Sequence, residues 1–122
     1  MGVIDEAYAT LGIGATQAKL LRTVGERQPM SQADLARATG TDPALTGRAL
    51  RTLLDRGWVR RRRSREDRRA FSLELTPEGE ALLEKVRAAR AALFARIDGS
   101  LDEADHAAFD RIAKKLLEAF PG

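Results

Sequence analysis

Two helix-length stretches separated by one short break, MSQADLARATG and DPALTGRALRTLLDRG, constrain this chain more than any other feature. Ser31 stands where a helix N-cap belongs. Asp34, three residues on, resembles a capping box with aspartate in place of the usual glutamate. Leu35, Ala36 and Ala38 follow, and Gly40 ends the helix. Asp42 then caps a second helix, Pro43 takes the first helical position, where no N–H is needed, and Gly57 terminates it. Two short helices joined by a tight glycine-containing turn form a helix-turn-helix unit. The same pattern also describes an αα-hairpin that only packs.

The next segment of the chain narrows the choice. Trp58-Val59 opens a strand, and FSLEL alternates apolar and polar residues, with Phe71, Leu73 and Leu75 on one face. Between these segments lies RRRRSREDRRAF, in which seven arginines surround Glu66 and Asp67. Two antiparallel strands with a charged tip, directly after a helix-turn-helix, make a winged helix. The tip must be soluble, cannot pack on the core, and projects beside the second helix. A solvated surface loop is the other reading of Arg61, Arg63, Arg65 and Arg68.

Charge is unevenly spread along the 122 residues, although the net value is only +3. Ten arginines face three acids between Pro43 and Ser72, whereas six acids face three bases from Asp98 to Gly122. A basic middle and an acidic end give the chain one side suited to a polyanion. Arginine outnumbers lysine in the basic block, and its planar donors suit phosphate and guanine edges. An arginine-rich and alanine-rich codon usage would also account for part of this bias.

The remaining segments read as helices. Val3, Ile4, Ala7, Tyr8 and Leu11 recur at helical spacing, and LGIG breaks them. Thr16 is expected to cap a second helix carrying Ala18, Leu20, Leu21 and Val24. Thr76-Pro77-Glu78-Gly79 is a helix start, after which Leu82, Val86, Ala89, Leu93 and Ile97 form a long stripe. Gly99 and Ser100 are expected to break it. Leu101, Ala104, Ala108, Ile112, Leu116 and Phe120 stripe a last helix. Such faces find little of their own chain to cover them, so a second copy is expected to do so.

Composition removes other functions. There is no cysteine, which excludes disulfides, thiol redox sensing and cysteine-ligated zinc. The lone His106 cannot build a transition-metal site and reads as a surface or dimer-seam histidine. Asp102/Glu103 and Glu78/Glu80 fall where helix starts favour negative charge, and no catalytic triad or phosphate loop is visible. Neither an enzyme nor a cofactor is therefore expected. No apolar run approaches the roughly 18 residues that a membrane span needs. The opening MGVIDEAYATLGIG carries acids where a secretory signal carries lysines, so a cytoplasmic protein is expected.

The order helix, helix, turn, helix, wing, long helix, helix resembles the MarR family of bacterial transcriptional regulators. MSQADLARATGTDPALTGRALRTLLDRGWVRRRRSREDRRAFSLELTPEG is similar to the family's central stretch throughout, and the likeness runs from about Leu11 to Phe120. Its most specific part is the wing, Asp67-Arg68-Arg69 followed by Leu75-Thr76-Pro77-Glu78-Gly79. The resemblance implies a mainly α fold with a small β-wing and one MarR-like domain over residues 1–122. Within it, a winged helix-turn-helix core would span about residues 16–76, and N- and C-terminal dimerisation helices about residues 2–12 and 77–120.

The same resemblance implies a homodimeric, sequence-specific regulator of transcription that binds double-stranded DNA, a repressor relieved by a small apolar or phenolic effector. Ala44, Thr46, Gly47 and Arg48 would approach bases in the major groove, and Arg51 bases or phosphates. Ser31 and Gln32 would touch phosphate through backbone N–H and hydroxyl groups. Arg69 would enter the minor groove, oriented by Asp67, while Arg61, Arg63, Arg65 and Arg68 would neutralise phosphates. Tyr8, Leu11, Leu82 and Val86 would line an effector pocket, or else simply pack in the core. Three departures from the family pattern stand out. Gly47 replaces a frequent hydroxyl residue, Leu45 and Thr46 look exchanged, and the first helix is short. The alternative function is a winged-helix protein-interaction or architectural DNA-binding module without operator specificity.

Overall fold

The computed structural model describes residues 3–63 and 71–119. Arg65, Asp67, Arg68 and Arg69 of the expected wing tip, and Phe120 of the last stripe, lie outside these described residues. The elements are α1 (Val3–Thr10), α2 (Ala15–Arg27), α3 (Gln32–Thr39), α4 (Pro43–Asp55), β1 (Val59–Arg63), β2 (Phe71–Leu75), α5 (Pro77–Ser100) and α6 (Glu103–Ala119). The fold is mainly α with one small antiparallel sheet of β1 and β2. Residues 1–90 form one compact unit and residues 91–122 a second.

In the first unit, α2 is the central rod. Ala18, Leu20, Leu21 and Val24 are all fully buried, against Leu35 of α3, Leu50 and Leu53 of α4 and Leu83 of α5. Thr16 does not cap this helix, which begins one residue earlier at Ala15 with Gly14 as its N-cap. There the Gln17 side chain reaches back to accept the Gly14 N–H at 3.0 Å, so a glutamine satisfies an amide at the start of the helix.

The helix-turn-helix caps fall where the sequence puts them. Asp34 N–H donates to Ser31 Oγ at 3.0 Å, and Ala44 N–H to Asp42 Oδ1 at 3.0 Å. Gly40 closes α3 in the left-handed conformation with φ 63°.

The β register pairs Val59 with Leu75, Arg61 with Leu73 and Arg63 with Phe71. Leu73 and Leu75 face the core, but Phe71 at the far end of the same face is half exposed. The expected apolar stripe therefore outruns the core by one residue. Beyond β1, β2 also pairs with the segment before α3. Leu73 N–H donates to Met30 O at 2.6 Å and Met30 N–H to Leu73 O at 3.3 Å, while Leu75 N–H donates to Gln28 Oε1 at 2.9 Å. These bonds, which no sequence pattern announces, fasten the wing to the entrance of the helix-turn-helix.

The four side chains expected to line an effector pocket or to pack in the core all lie in or against the hydrophobic core of this chain. Tyr8, Leu82 and Val86 are buried in the hydrophobic core, and Leu11, in the turn after α1, packs against it. The Tyr8 hydroxyl accepts from Arg90 Nη1 at 3.2 Å, tying α1 to α5.

Within the second unit, Gly99 and Ser100 do not break the helix. α5 continues through Ser100, whose Oγ donates to Ile97 O at 2.7 Å. The break falls at Leu101 and Asp102, because Asp102 and Asp105 form a reciprocal cap for α6 with bonds of 2.8 and 3.0 Å. No residue of α6 is buried, and Phe109, Ile112, Leu116 and Leu117 are exposed. His106 is partly exposed, with Nε2 3.5 Å from Asp98 Oδ1.

α5 begins where Thr76 Oγ1 accepts the Gly79 N–H at 3.0 Å and donates to Gly57 O at 2.5 Å. A Cβ on Gly79 would stand 1.9 Å from the Trp58 carbonyl oxygen, and a backbone atom cannot rotate away. Gly79→Ala is expected to cost about 1–3 kcal/mol of stability, as overpacking does. A urea unfolding midpoint equal to wild type would contradict this close approach.

Candidate nucleic-acid interface

α4 shows two faces. Thr46, Ala49, Leu50 and Leu53 turn inward, while Ala44, Leu45, Arg48, Arg51 and Asp55 are exposed or partly so. Thr46, expected to approach bases, is fully buried, and its Oγ1 donates to Thr41 O at 3.4 Å. It cannot reach a ligand from there. The residue that takes the outward place is Leu45, 40% exposed, which sequence reasoning does not place in the site. The apparent exchange of the two residues is the signal. A small hydroxyl that can serve the carbonyl at the turn is tolerated inside, so the leucine points out.

The rest of the outer face carries positive charge. Arg48 is exposed, and exposed Arg51 stands 3.9 Å from Asp55 one turn on. Gly47, on the flank toward α3, is partly buried. A Cβ there would lie 3.6 Å from Gln32 Nε2, an ordinary contact. The glycine is therefore not forced by packing.

Ser31 and Gln32 sit at the start of α3, on the same flank. The Ser31 oxygen accepts the Asp34 N–H as a cap, and its hydroxyl also hydrogen-bonds the Asp34 carboxylate. Gln32 Oε1 accepts from Arg61 Nη2 at 3.5 Å, a long bond that bridges α3 to β1. Gln32, Arg61, Phe71 and Leu73 line an open cleft of about 400 Å³ between the helix and the wing base. On the outer side of α3, Arg37 pairs with Asp34. First that guanidinium and then Ser31 hold the Asp34 carboxyl below the usual carboxylate range.

Strand alternation sorts the arginines of β1. Arg60 Nε lies 2.7 Å and Arg62 Nη1 3.7 Å from Glu74 Oε1, so these two share one carboxylate on one face. Arg61 and Arg63 pair across the strand with Leu73 and Phe71 on the other. Arg63 Cζ lies 5.7 Å from the centre of the Phe71 ring, a cation–π distance that gives exposed Phe71 a role as a platform. Of the wing residues named from the sequence, Arg61 and Arg63 thus share the core-side face of β1. Arg65, Asp67, Arg68 and Arg69 fall outside the described residues. Sequence reasoning misses Leu45, Phe71 and Glu74; for Glu74 the alternation of FSLEL opposite the arginine run holds the signal.

Fold and face together define a winged helix-turn-helix protein with a basic outer surface. The sequence model of the MarR family matches residues 13–71. The HTH-type transcriptional repressor Rv2887 of Mycobacterium tuberculosis is 30% identical over 113 residues, which cover 93% of this chain and 81% of that protein. The chain belongs to the MarR family. Among solved structures, the M. tuberculosis MarR family protein Rv2887 in complex with p-aminosalicylic acid has a TM-score of 0.72 at 29% identity, covering 93% of this chain and 85% of that one. A mutant MarR from E. coli complexed with operator DNA has a TM-score of 0.77 at 25% identity, covering 93% of this chain and 82% of that one. The Rv2887 relative is named as a repressor of transcription. In this chain, no described helix is long and apolar enough to cross a membrane.

Because glycine inside a helix costs about 1 kcal/mol relative to alanine and a Cβ fits at this site, Gly47→Ala should stabilise the protein by up to about that amount. Thermal unfolding of the variant below the wild-type midpoint would show that Gly47 is needed by the fold after all.

Proposed function

We propose that this chain is a homodimeric, sequence-specific DNA-binding repressor that grips a pseudo-palindromic operator, with α4 in the major groove and the wing beside it. The observation that carries this reading is the joining of two features. Arg48 and Arg51 project from the outer face of α4, and Arg61 is bridged through Gln32 to the start of the neighbouring helix. Arg48 can hold guanine through two hydrogen bonds, and Arg51, Arg61 and Arg63 can neutralise phosphates. Ser31 and Gln32 add phosphate contacts at the N-terminus of α3, and Ala44 and Gly47 let the backbone of α4 approach the bases. Among residues outside the described segments, Arg69 would read minor-groove width with Asp67 orienting it, and Arg65 and Arg68 would contact phosphate.

Dimerisation is supported by the exposed apolar side chains of the second unit, Phe94, Ile97, Phe109, Ile112, Leu116 and Leu117. A patch of that kind on a small chain marks an interface. Two subunits related by a two-fold axis would place half-sites about 10 base pairs apart. Relief by a small apolar or phenolic effector is supported by the likeness to Rv2887, whose solved complex holds p-aminosalicylic acid. Since Tyr8, Leu82 and Val86 are packed shut in one chain, with Leu11 against them, an effector at that place acts by opening the packing and so biases an existing equilibrium.

A gel-shift titration on the DNA upstream of the protein's own coding sequence tests the reading. Retention should be sequence-selective and should weaken steeply with salt. Arg48→Ala should cost about 1–3 kcal/mol of binding and relax selectivity at one base pair. Equal retention of unrelated duplexes would favour an architectural binder, and no retention at low salt a protein-interaction module. Phe109→Glu should shift the chain from dimer to monomer in sedimentation velocity and weaken DNA binding with it; an unchanged dimer would remove α6 from the interface.

A further inference from the structure

We propose that Leu45 is a specificity-determining residue that reads the 5-methyl group of thymine in the major groove. This rests on the DNA-binding reading above and deepens it. α4 offers its first turn to the outside through Ala44, Leu45 and Arg48, while Thr46 is fully buried between them. A leucine left 40% exposed on a face otherwise occupied by arginines and alanine has nothing of its own chain to cover it fully. It forms one wall of an open cleft of about 370 Å³, with Arg48 and Thr52 beside it and Gly14, Ala15 and Gln17 of the α2 start opposite. The cleft lies along the flank of α4 that faces the start of α2, next to the outward face that carries Arg48.

Leucine has no donor or acceptor. Hydrogen-bonding groups make up most of what base edges present in the major groove, and the thymine methyl is the apolar exception. An aliphatic side chain on this face therefore distinguishes thymine and little else. Leu45 and Arg48 are three residues apart and adjacent on the helix surface. Arg48 on a guanine and Leu45 on a methyl would thus read neighbouring base pairs, one by hydrogen bonds and one by apolar contact. Burying a group the size of one methylene corresponds to about a fourfold change in affinity.

The experiment uses the full chain and the tightest duplex that it selects from a random-sequence pool. Each thymine is replaced in turn by deoxyuridine, which removes the methyl and leaves the base pairing intact. Wild type should lose about fourfold in affinity at one position in each half-site. Leu45→Ala should bind the thymine duplex more weakly and show no loss on the uracil duplex at that position. Alanine favours the helix, so this variant should keep the wild-type circular dichroism spectrum. Arg51→Ala, a charge loss on the same face, should weaken binding while keeping the uracil penalty. The proposal is overturned if Leu45→Ala retains the same penalty, or if wild type pays none at any thymine. Failure of wild type to select any duplex would instead remove the DNA reading on which it rests.

Discussion

The first turn of α5 lies directly on the backbone where α4 gives way to β1, and the rest of the first unit is arranged around that contact. Gly79 has no room for a Cβ against Trp58 O, Thr76 N–H donates to the same carbonyl at 3.1 Å, and Thr76 Oγ1 joins Gly57 O to the α5 N-cap. The exit of α4 and the exit of β2 are thereby one corner. Because the two strands must leave it together, the base of the wing is set at a fixed place relative to α4. The Arg56 guanidinium, 4.7 Å from the Trp58 ring centre, covers the outer side of the same corner.

A second fastening works from the opposite edge of β2. Leu73 exchanges backbone bonds with Met30, and Gln28 takes the Leu75 N–H, so the segment leading into α3 serves as a short extra strand. α3, α4 and the wing base consequently share one rigid framework, which a surface that meets a duplex needs in order to hold helix and wing in register. The arginines on that framework matter less for stability than for where they point. Exposed ion pairs such as Arg51 with Asp55 contribute little in water. Glu74 instead takes Arg60 and Arg62 to one side of β1, which leaves Arg61 and Arg63 on the side of Leu73 and Phe71. The two-residue period of a strand thus turns an undivided run of arginines into two groups with different partners.

Much of the helix-turn-helix is legible because its signals are local. Ser31, Asp42 and Thr76 cap the next few residues through bonds to their immediate neighbours in the chain, and Gly40 ends α3 by its own backbone conformation. Where two local signals compete, the sequence misleads. Thr16 looks like a better cap than Gly14, but the Gln17 side chain supplies the missing acceptor. Gly99 and Ser100 look like a break, but the stronger stop is the Asp102–Asp105 cap that begins the next helix. Phe71 belongs to the stripe the alternation announces, yet the core beneath β2 ends at Leu73.

The sequence by itself determined the order and kind of the elements, the basic character of the middle of the chain and the likeness to the MarR family, since caps, periodicity and charge are properties of neighbouring residues. Only the tertiary structure decided which way each side chain of α4 faces and which arginines have a carboxylate partner. Thr46 is inside and Leu45 outside because α4 packs on α2 and α3 along the line of Ala49, Leu50 and Leu53, and a helix has one rotation that buries all three. Arg60 and Arg61 are neighbours in sequence and belong to opposite faces because β1 is paired with β2, which puts Glu74 across from one and Leu73 across from the other. Both outcomes depend on contacts between residues far apart along the chain, and no window of sequence contains them.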